Sequence, residues 1–152
     1  MAMPKMREHT LAELSRIQVR YFMVESKTKP YLKILVIRYS GVYPPGSGGN
    51  DDAQYMYALA SAGVAAFKPW GVIHDLTEIV YEWGDKLDLV FGVGPQFEAS
   101  PVAVVVGPAC EAAVRTLLLG VDSDEPIEHP AIAGLFTGYA DGRYLLKREH
   151  RH

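Results

Sequence analysis

Residues 70–90, WGVIHDLTEIVYEWGDKLDLV, carry the pattern from which the fold is read. An apolar run, Gly71-Val72-Ile73, leads into His74-Asp75, and a polar break at Thr77-Glu78 precedes a second apolar cluster, Ile79-Val80-Tyr81. Gly84-Asp85 then offers a turn, followed by Leu87, Leu89 and Val90. The expectation is a central strand ending at His74-Asp75, an exposed turn, and the start of a helix that stops at Gly92-Val93-Gly94-Pro95. In an open α/β sheet, ligands and partners meet the protein at the carboxyl ends of such strands.

On the N-terminal side, residues 1–16 form a polar leader in which Thr10 and Glu13 have capping-box spacing. Residues 17–24, IQVRYFMV, alternate as a half-buried strand does. The ESKTKP turn separates them from residues 31–39, YLKILVIRY, whose two apolar faces place that strand inside a sheet. The two strands are expected to pair as an antiparallel hairpin. Residues 41–49, GVYPPGSGG, have loop composition, and Asn50, Asp51 or Asp52 is a candidate cap for a helix over 53–67. Met56, Leu59, Ala60, Gly63 and Phe67 form its apolar stripe.

On the C-terminal side, residues 102–106, VAVVV, are a continuous β-branched run, which marks a parallel strand covered on both faces. Gly107-Pro108 turns the chain into a helix over 109–119 with Gly120 as its C-cap. Residues 121–130 are an acidic loop, 132–136 a short apolar segment, and 139–149 a closing helix. The order predicts one α/β domain over 17–149, with a three-residue tail at 150–152. It comprises an antiparallel hairpin and βαβ units, about five strands in a mixed sheet, and about four helices.

At 152 residues the chain suits one domain, and at 49% hydrophobic it has the material for a core. A net charge of -3 with no dense basic run argues against nucleic acid as a partner. Cys110 is the only cysteine, so no intramolecular disulfide can form, which agrees with a reducing cytoplasm. The longest apolar runs are too short to span a bilayer.

Four groups invite a chemical reading. Cys110, after a strand and near a helix N-terminus, has the position of a thiol nucleophile, but free cysteines are commonly buried and packing is the favoured role. His74 beside Asp75 has the makings of an oriented base, although neighbours on a strand point to opposite faces. Asp75 reads as a turn cap, and His74 is left open between the two roles. Gly46-Ser47-Gly48-Gly49-Asn50 precedes a helix, but it lacks a Lys-Ser/Thr ending and Asp51-Asp52 would repel phosphate, so a mobile loop is expected. The acidic run Asp122–Glu128 lacks the pattern of an EF-hand, and neither a metal nor a cofactor is expected. Tyr81, Glu82, Trp83, Gly84, Asp85 and Lys86 are nominated as a contact surface, because exposed aromatics are favoured as interface anchors.

With that order, the chain resembles the STAS domain family, the fold of anti-sigma-factor antagonists. Residues 34–41, ILVIRYSG, are similar to its second strand, and residues 72–85, VIHDLTEIVYEWGD, to its V-x-D-L-x-x-V-x-x-x-D-S-x-G passage, with Asp75-Leu76 on the D-L. Residues 114–120 and 136–146 resemble its late helix, short strand and final helix. The resemblance implies a regulatory module that contacts another protein. Where that family carries a phosphorylated serine, this chain reads Glu82-Trp83-Gly84-Asp85, which removes the hydroxyl and with it a serine switch. An immunity-type partner protein and pairing with a second copy fit the same features. Residues 100–113, SPVAVVVGPACEAA, also resemble the crotonase passage K-P-V-I-A-A-V-x-G-x-A-x-G-G-G, and residues 81–87 its F-x-A-G-A-D-L. That second resemblance implies an enzyme binding an acyl thioester. Here Cys110, Glu111 and Ala112 stand where its glycines would be, and their Cβ atoms hinder backbone approach to such a ligand.

Overall fold

A computed structural model describes residues 3–25, 33–95, 102–119 and 143–146. Among them, strands β1 (Gln18–Glu25), β2 (Lys33–Val42), β3 (Gly71–Val80), β4 (Val102–Val106) and β5 (Arg143–Leu146) form one sheet in chain order. β1 runs antiparallel to β2, β2, β3 and β4 run parallel, and β5 returns antiparallel to β4. The helices are α1 (Asn50–Phe67), α2 (Asp88–Phe91) and α3 (Glu111–Leu119), with 3-10 turns at Leu11–Leu14, Gly46–Gly49 and Asp85–Leu87. The class is therefore mixed α/β.

Period-two alternation sorts the strands onto two faces. Leu35, Ile37 and Tyr39 of β2, Val72 and Leu76 of β3, and Val104 and Val106 of β4 point to one face. They pack there with Ala53, Met56 and Ala60 of α1, Val90 and Phe91 of α2, and Val114 of α3. Gly63 lets the Tyr21 ring pack closely against α1, because a Cβ at that position would meet the ring at 2.4 Å. On the other face, Phe22, Val36, Ile73 and Ala103 line up in register across the sheet. Val36, Ile73 and Ala103 are fully buried and Phe22 is partly exposed. The parallel strands thus carry apolar side chains on both faces.

Four expectations change. β3 does not end at His74-Asp75; it runs unbroken to Val80, and the polar pair sits in its middle with every side chain from Val72 to Leu76 buried. The polar break at Thr77-Glu78 is a bulge. Arg38 is opposite Asp75 and Ser40 opposite Glu78, so β3 spends three steps where β2 spends two. The Gly46–Gly49 segment, expected as a mobile loop, is a 3-10 turn with Gly46 and Gly49 buried. Residues 143–146 of the expected closing helix are strand β5, because antiparallel pairing with β4 overrides a modest local helix pattern that contains Gly142.

Smaller shifts occur at α1. It starts at Asn50, and Asn50, Asp51 and Asp52 occupy its first turn rather than its cap, which falls on Gly49. The 26–30 turn, Gly120, the 121–130 loop, the 132–136 segment and the 150–152 tail lie outside the described residues.

Candidate functional site

The sequence-nominated residues separate into a sealed interior group and an exposed rim. His74 is fully buried on the helix-covered face. Its Nε2 lies 2.9 Å from the carbonyl oxygen of Val93, which can only accept, so the ring carries its proton on Nε2. Nδ1 then accepts from the Tyr39 hydroxyl at 2.8 Å. Burial and, secondarily, Tyr21 hold the Tyr39 phenol well above the ordinary tyrosine range, so this donor keeps its proton. The Tyr39 ring stacks near His74 at 5.9 Å, and Phe91 approaches from another side at 6.2 Å. Both ring nitrogens are thus committed within the core, and the imidazole is built as a structural polar link between β2, β3 and the segment after α2.

Asp75 points to the opposite face, as strand geometry requires. Its Oδ2 accepts from Arg38 Nε at 2.9 Å, and Oδ1 accepts from the Thr77 backbone N–H at 2.9 Å and the Thr77 hydroxyl at 2.7 Å. The carboxylate therefore caps the bulge in β3 rather than a turn, and it supplies the acceptor that the bulged backbone has lost. Gly107, just past β4, packs against that bulge; a Cβ there would meet the Thr77 carbonyl oxygen at 2.6 Å. Arg38 also covers the Phe22 ring at 4.7 Å. Beside it, Arg20 Nη2 and Ser40 Oγ both donate to Glu78 Oε2, at 2.9 and 2.8 Å. Apart from Asp75, this polar network between β1, β2 and β3 was not nominated from the sequence. Its members lie up to 58 residues apart, and its only local signal is arginine and glutamate on strands.

Cys110 is buried immediately before α3, with its thiol directed to the Leu76 carbonyl oxygen at 3.3 Å. Burial pushes the thiol above its usual range, in opposition to the activation that a nucleophile needs. Its hydrogen-bond partners are main-chain carbonyl oxygens. Among the described residues, no group of three or more His, Cys, Asp or Glu side chains is placed to hold a metal ion.

The rim is different. β2 and β3 end together at Val42 and Val80, both exposed, and two loops follow them. Backbone bonds tie these loops to each other. Tyr43 N–H donates to the Val80 carbonyl at 2.8 Å, and Gly46 N–H donates to the Trp83 carbonyl at 3.1 Å. Tyr43 and Tyr81 meet edge to face at 5.2 Å, and the Tyr81 hydroxyl donates to the Gly84 carbonyl. Tyr81 is therefore core and not surface.

The Trp83 ring lies directly on Gly46, where a Cβ would meet it at 2.4 Å, and yet Trp83 is 63% exposed. Gly46 at φ 65° and Gly84 at φ 143° adopt conformations that L side chains rarely take. These two glycines fix the path of both loops and hold the indole outward. Glu82 and Lys86 flank it in solvent.

No protein-family model matches this chain. Comparisons with curated proteins and with solved structures likewise find no match. No helix among the described residues is long and apolar enough to cross a membrane.

Proposed function

We propose that this chain is a non-catalytic binding module of STAS-like type, a regulatory or immunity-like protein of the cytoplasm that contacts another protein through the Glu82–Lys86 turn. One observation carries the proposal: Trp83 is held outward on a glycine shelf instead of being folded into the core. Placing a large aromatic in water is unfavourable by about 25 cal/mol per Å² of apolar surface left exposed. A backbone pinned by two left-handed glycines and cross-loop hydrogen bonds therefore presents a preorganised anchor, the kind of residue that dominates binding energy at interfaces. The sealed states of His74, Asp75 and Cys110 support the same reading, since each is engaged in holding the sheet together. The mixed sheet, with antiparallel strands outside parallel ones, is compatible with a STAS-like topology.

The acyl-thioester alternative draws less support. Its oxyanion amides would come from the passage after β4, and there the Cys110 and Glu111 N–H groups both donate to the Gly107 carbonyl, at 3.2 and 2.9 Å. Affinity capture from lysate with parent chain, Trp83→Ala and Phe67→Ala tests the proposal. Phe67 is a second exposed aromatic, at the far end of α1. Proteins captured by the parent and by Phe67→Ala should be lost with Trp83→Ala. Equal capture by all three would put the contact elsewhere. A rise in melting temperature with coenzyme A esters would favour the enzyme reading instead.

A further inference from the structure

Besides the rim, the described residues leave apolar side chains in water near the start of the chain. Residues 3–14 form an arm that ends in the Leu11–Leu14 turn, and in it Met3 is 86% and Met6 is 91% exposed. Lys5 and Arg7 alternate with these methionines and are exposed as well. The tip of the arm, Met3–Arg7, therefore offers apolar side chains interleaved with positive charge, ahead of the exposed carboxylates Glu8 and Glu13. The rim offers the reverse. Val42, Val80 and Trp83 are exposed apolar groups there, and among the described side chains of its loops and of the helix starts that follow them Glu82, Asp88 and Asp51 are exposed carboxylates beside the ammonium of Lys86.

The root of the arm lies beside the rim. Ser15 Oγ donates to Asp52 Oδ1 at 2.5 Å, in the first turn of α1, directly after the turn that carries the Trp83 shelf. Gly41, one residue before the end of β2, packs against Ile17; a Cβ there would lie 3.5 Å from Ile17 Cα. Within one chain Met3 and Met6 do not cover Trp83, as the exposure of all three shows.

We infer that the arm of one copy docks on the rim of a second copy, with Met3 and Met6 against Trp83, Val42 and Val80, and with Lys5 and Arg7 against Glu82 and Asp88. Because each arm is rooted at its own rim, two facing rims can exchange arms about a two-fold axis. The assembly closes as a dimer and does not grow into a filament. Burying the methionines and the indole supplies the affinity, and the opposed charges set the register. The rim is then shared between the arm and the partner of the proposed function, so dimerisation and partner capture compete. The inference rests on the rim being a contact surface, but its test is separate.

Sedimentation of the full-length chain over a range of concentrations should show a monomer–dimer equilibrium. Lys5→Glu/Arg7→Glu and, separately, Glu82→Lys/Asp88→Lys should each raise the dimer dissociation constant by at least about tenfold, the effect of roughly 1.4 kcal/mol. An equimolar mixture of the two variants should recover a heterodimer, because each reversed arm then faces a rim of opposite sign. Met3→Ser/Met6→Ser should give monomer without loss of fold, since all substituted side chains are exposed. A chain that stays monomeric, a dimer indifferent to these changes, or a mixture without recovery would overturn the inference. In any of those cases, partner capture through Trp83 would stand or fall on its own experiment.

Discussion

His74-Asp75 and Glu82-Trp83 lie eight residues apart on one strand and its loop, and each pairs an acidic residue with a ring. In the first pair every polar atom described is drawn inward, to Tyr39, Val93, Arg38 and Thr77. In the second, the backbone carries the fixing contacts and the side chains are left to solvent. The same residue types therefore hold a fold together in one place and face outward in the other. What separates them is the supply of partners from β2. It is complete alongside β3 and stops where both strands end at Val42 and Val80.

The widest gap between the two regions should appear in stability. Asp75→Ala removes the acceptor of three hydrogen bonds and leaves the bulged Thr77 amide and the Arg38 guanidinium without it. A loss of about 3 kcal/mol is expected, measured by urea denaturation, because three hydrogen bonds to a buried carboxylate, one of them from the Arg38 guanidinium, are removed together. Tyr39→Phe deletes one hydroxyl and leaves His74 Nδ1 buried without that donor, at an expected cost of about 1–2 kcal/mol in the same assay.

Cys110 gives a smaller, pH-dependent effect. Its thiol is raised by burial, so below the ordinary thiol value of 9.0 both folded and unfolded chains hold the proton and the group contributes no pH dependence. Above that value the unfolded chain releases the proton first. The folded state then binds more protons, and stability falls as pH rises. Tyr39 adds the same sign once the ordinary tyrosine value of 10.0 is passed. Denaturation midpoints should therefore begin to drop as pH rises through the ordinary thiol value of 9.0 and fall further past the ordinary phenol value of 10.0, and Cys110→Ala should flatten the first part of that fall. Finally, Trp83→Ala should change stability by no more than about 0.5 kcal/mol, as exposed substitutions do. A large loss there would erase the contrast between interior and rim.

The hairpin of β1 and β2, strand β4 and helix α1 were legible because their apolar periodicity is local and strong. IQVRYFMV alternates, VAVVV is continuously β-branched, and residues 53–67 carry a helical stripe. β3 was legible only up to His74, because buried polar residues on a strand look like its end. The partners that let it continue, Arg38 and Tyr39, are 37 and 35 residues earlier in the chain. β5 was hidden for a related reason: four residues have too little pattern of their own, and their state is decided by β4. At the rim, Trp83 was legible as a surface candidate from its place beside Gly84. The need for Gly46 beneath it was not, since that contact joins loops after two different strands.

The bulge at Thr77 also has a bearing on how the chain tolerates changes in length. Upstream of it, the inward positions of β3 are the even-numbered Val72, His74 and Leu76; downstream they are the odd-numbered Ile79 and Tyr81. The strand has one spare residue, and the bulge absorbs it. Loss of Thr77 itself would regularise the strand and keep Ile79, Tyr81 and the Trp83 turn facing as they do. A one-residue deletion in the regular stretch before it leaves two ways out. Either the strand turns Ile79 and Tyr81 outward, or it gives up the bulge to restore phase. Thr77 is thus the reading-frame buffer of the central strand, the point at which an odd number of residues is reconciled with a two-sided sheet.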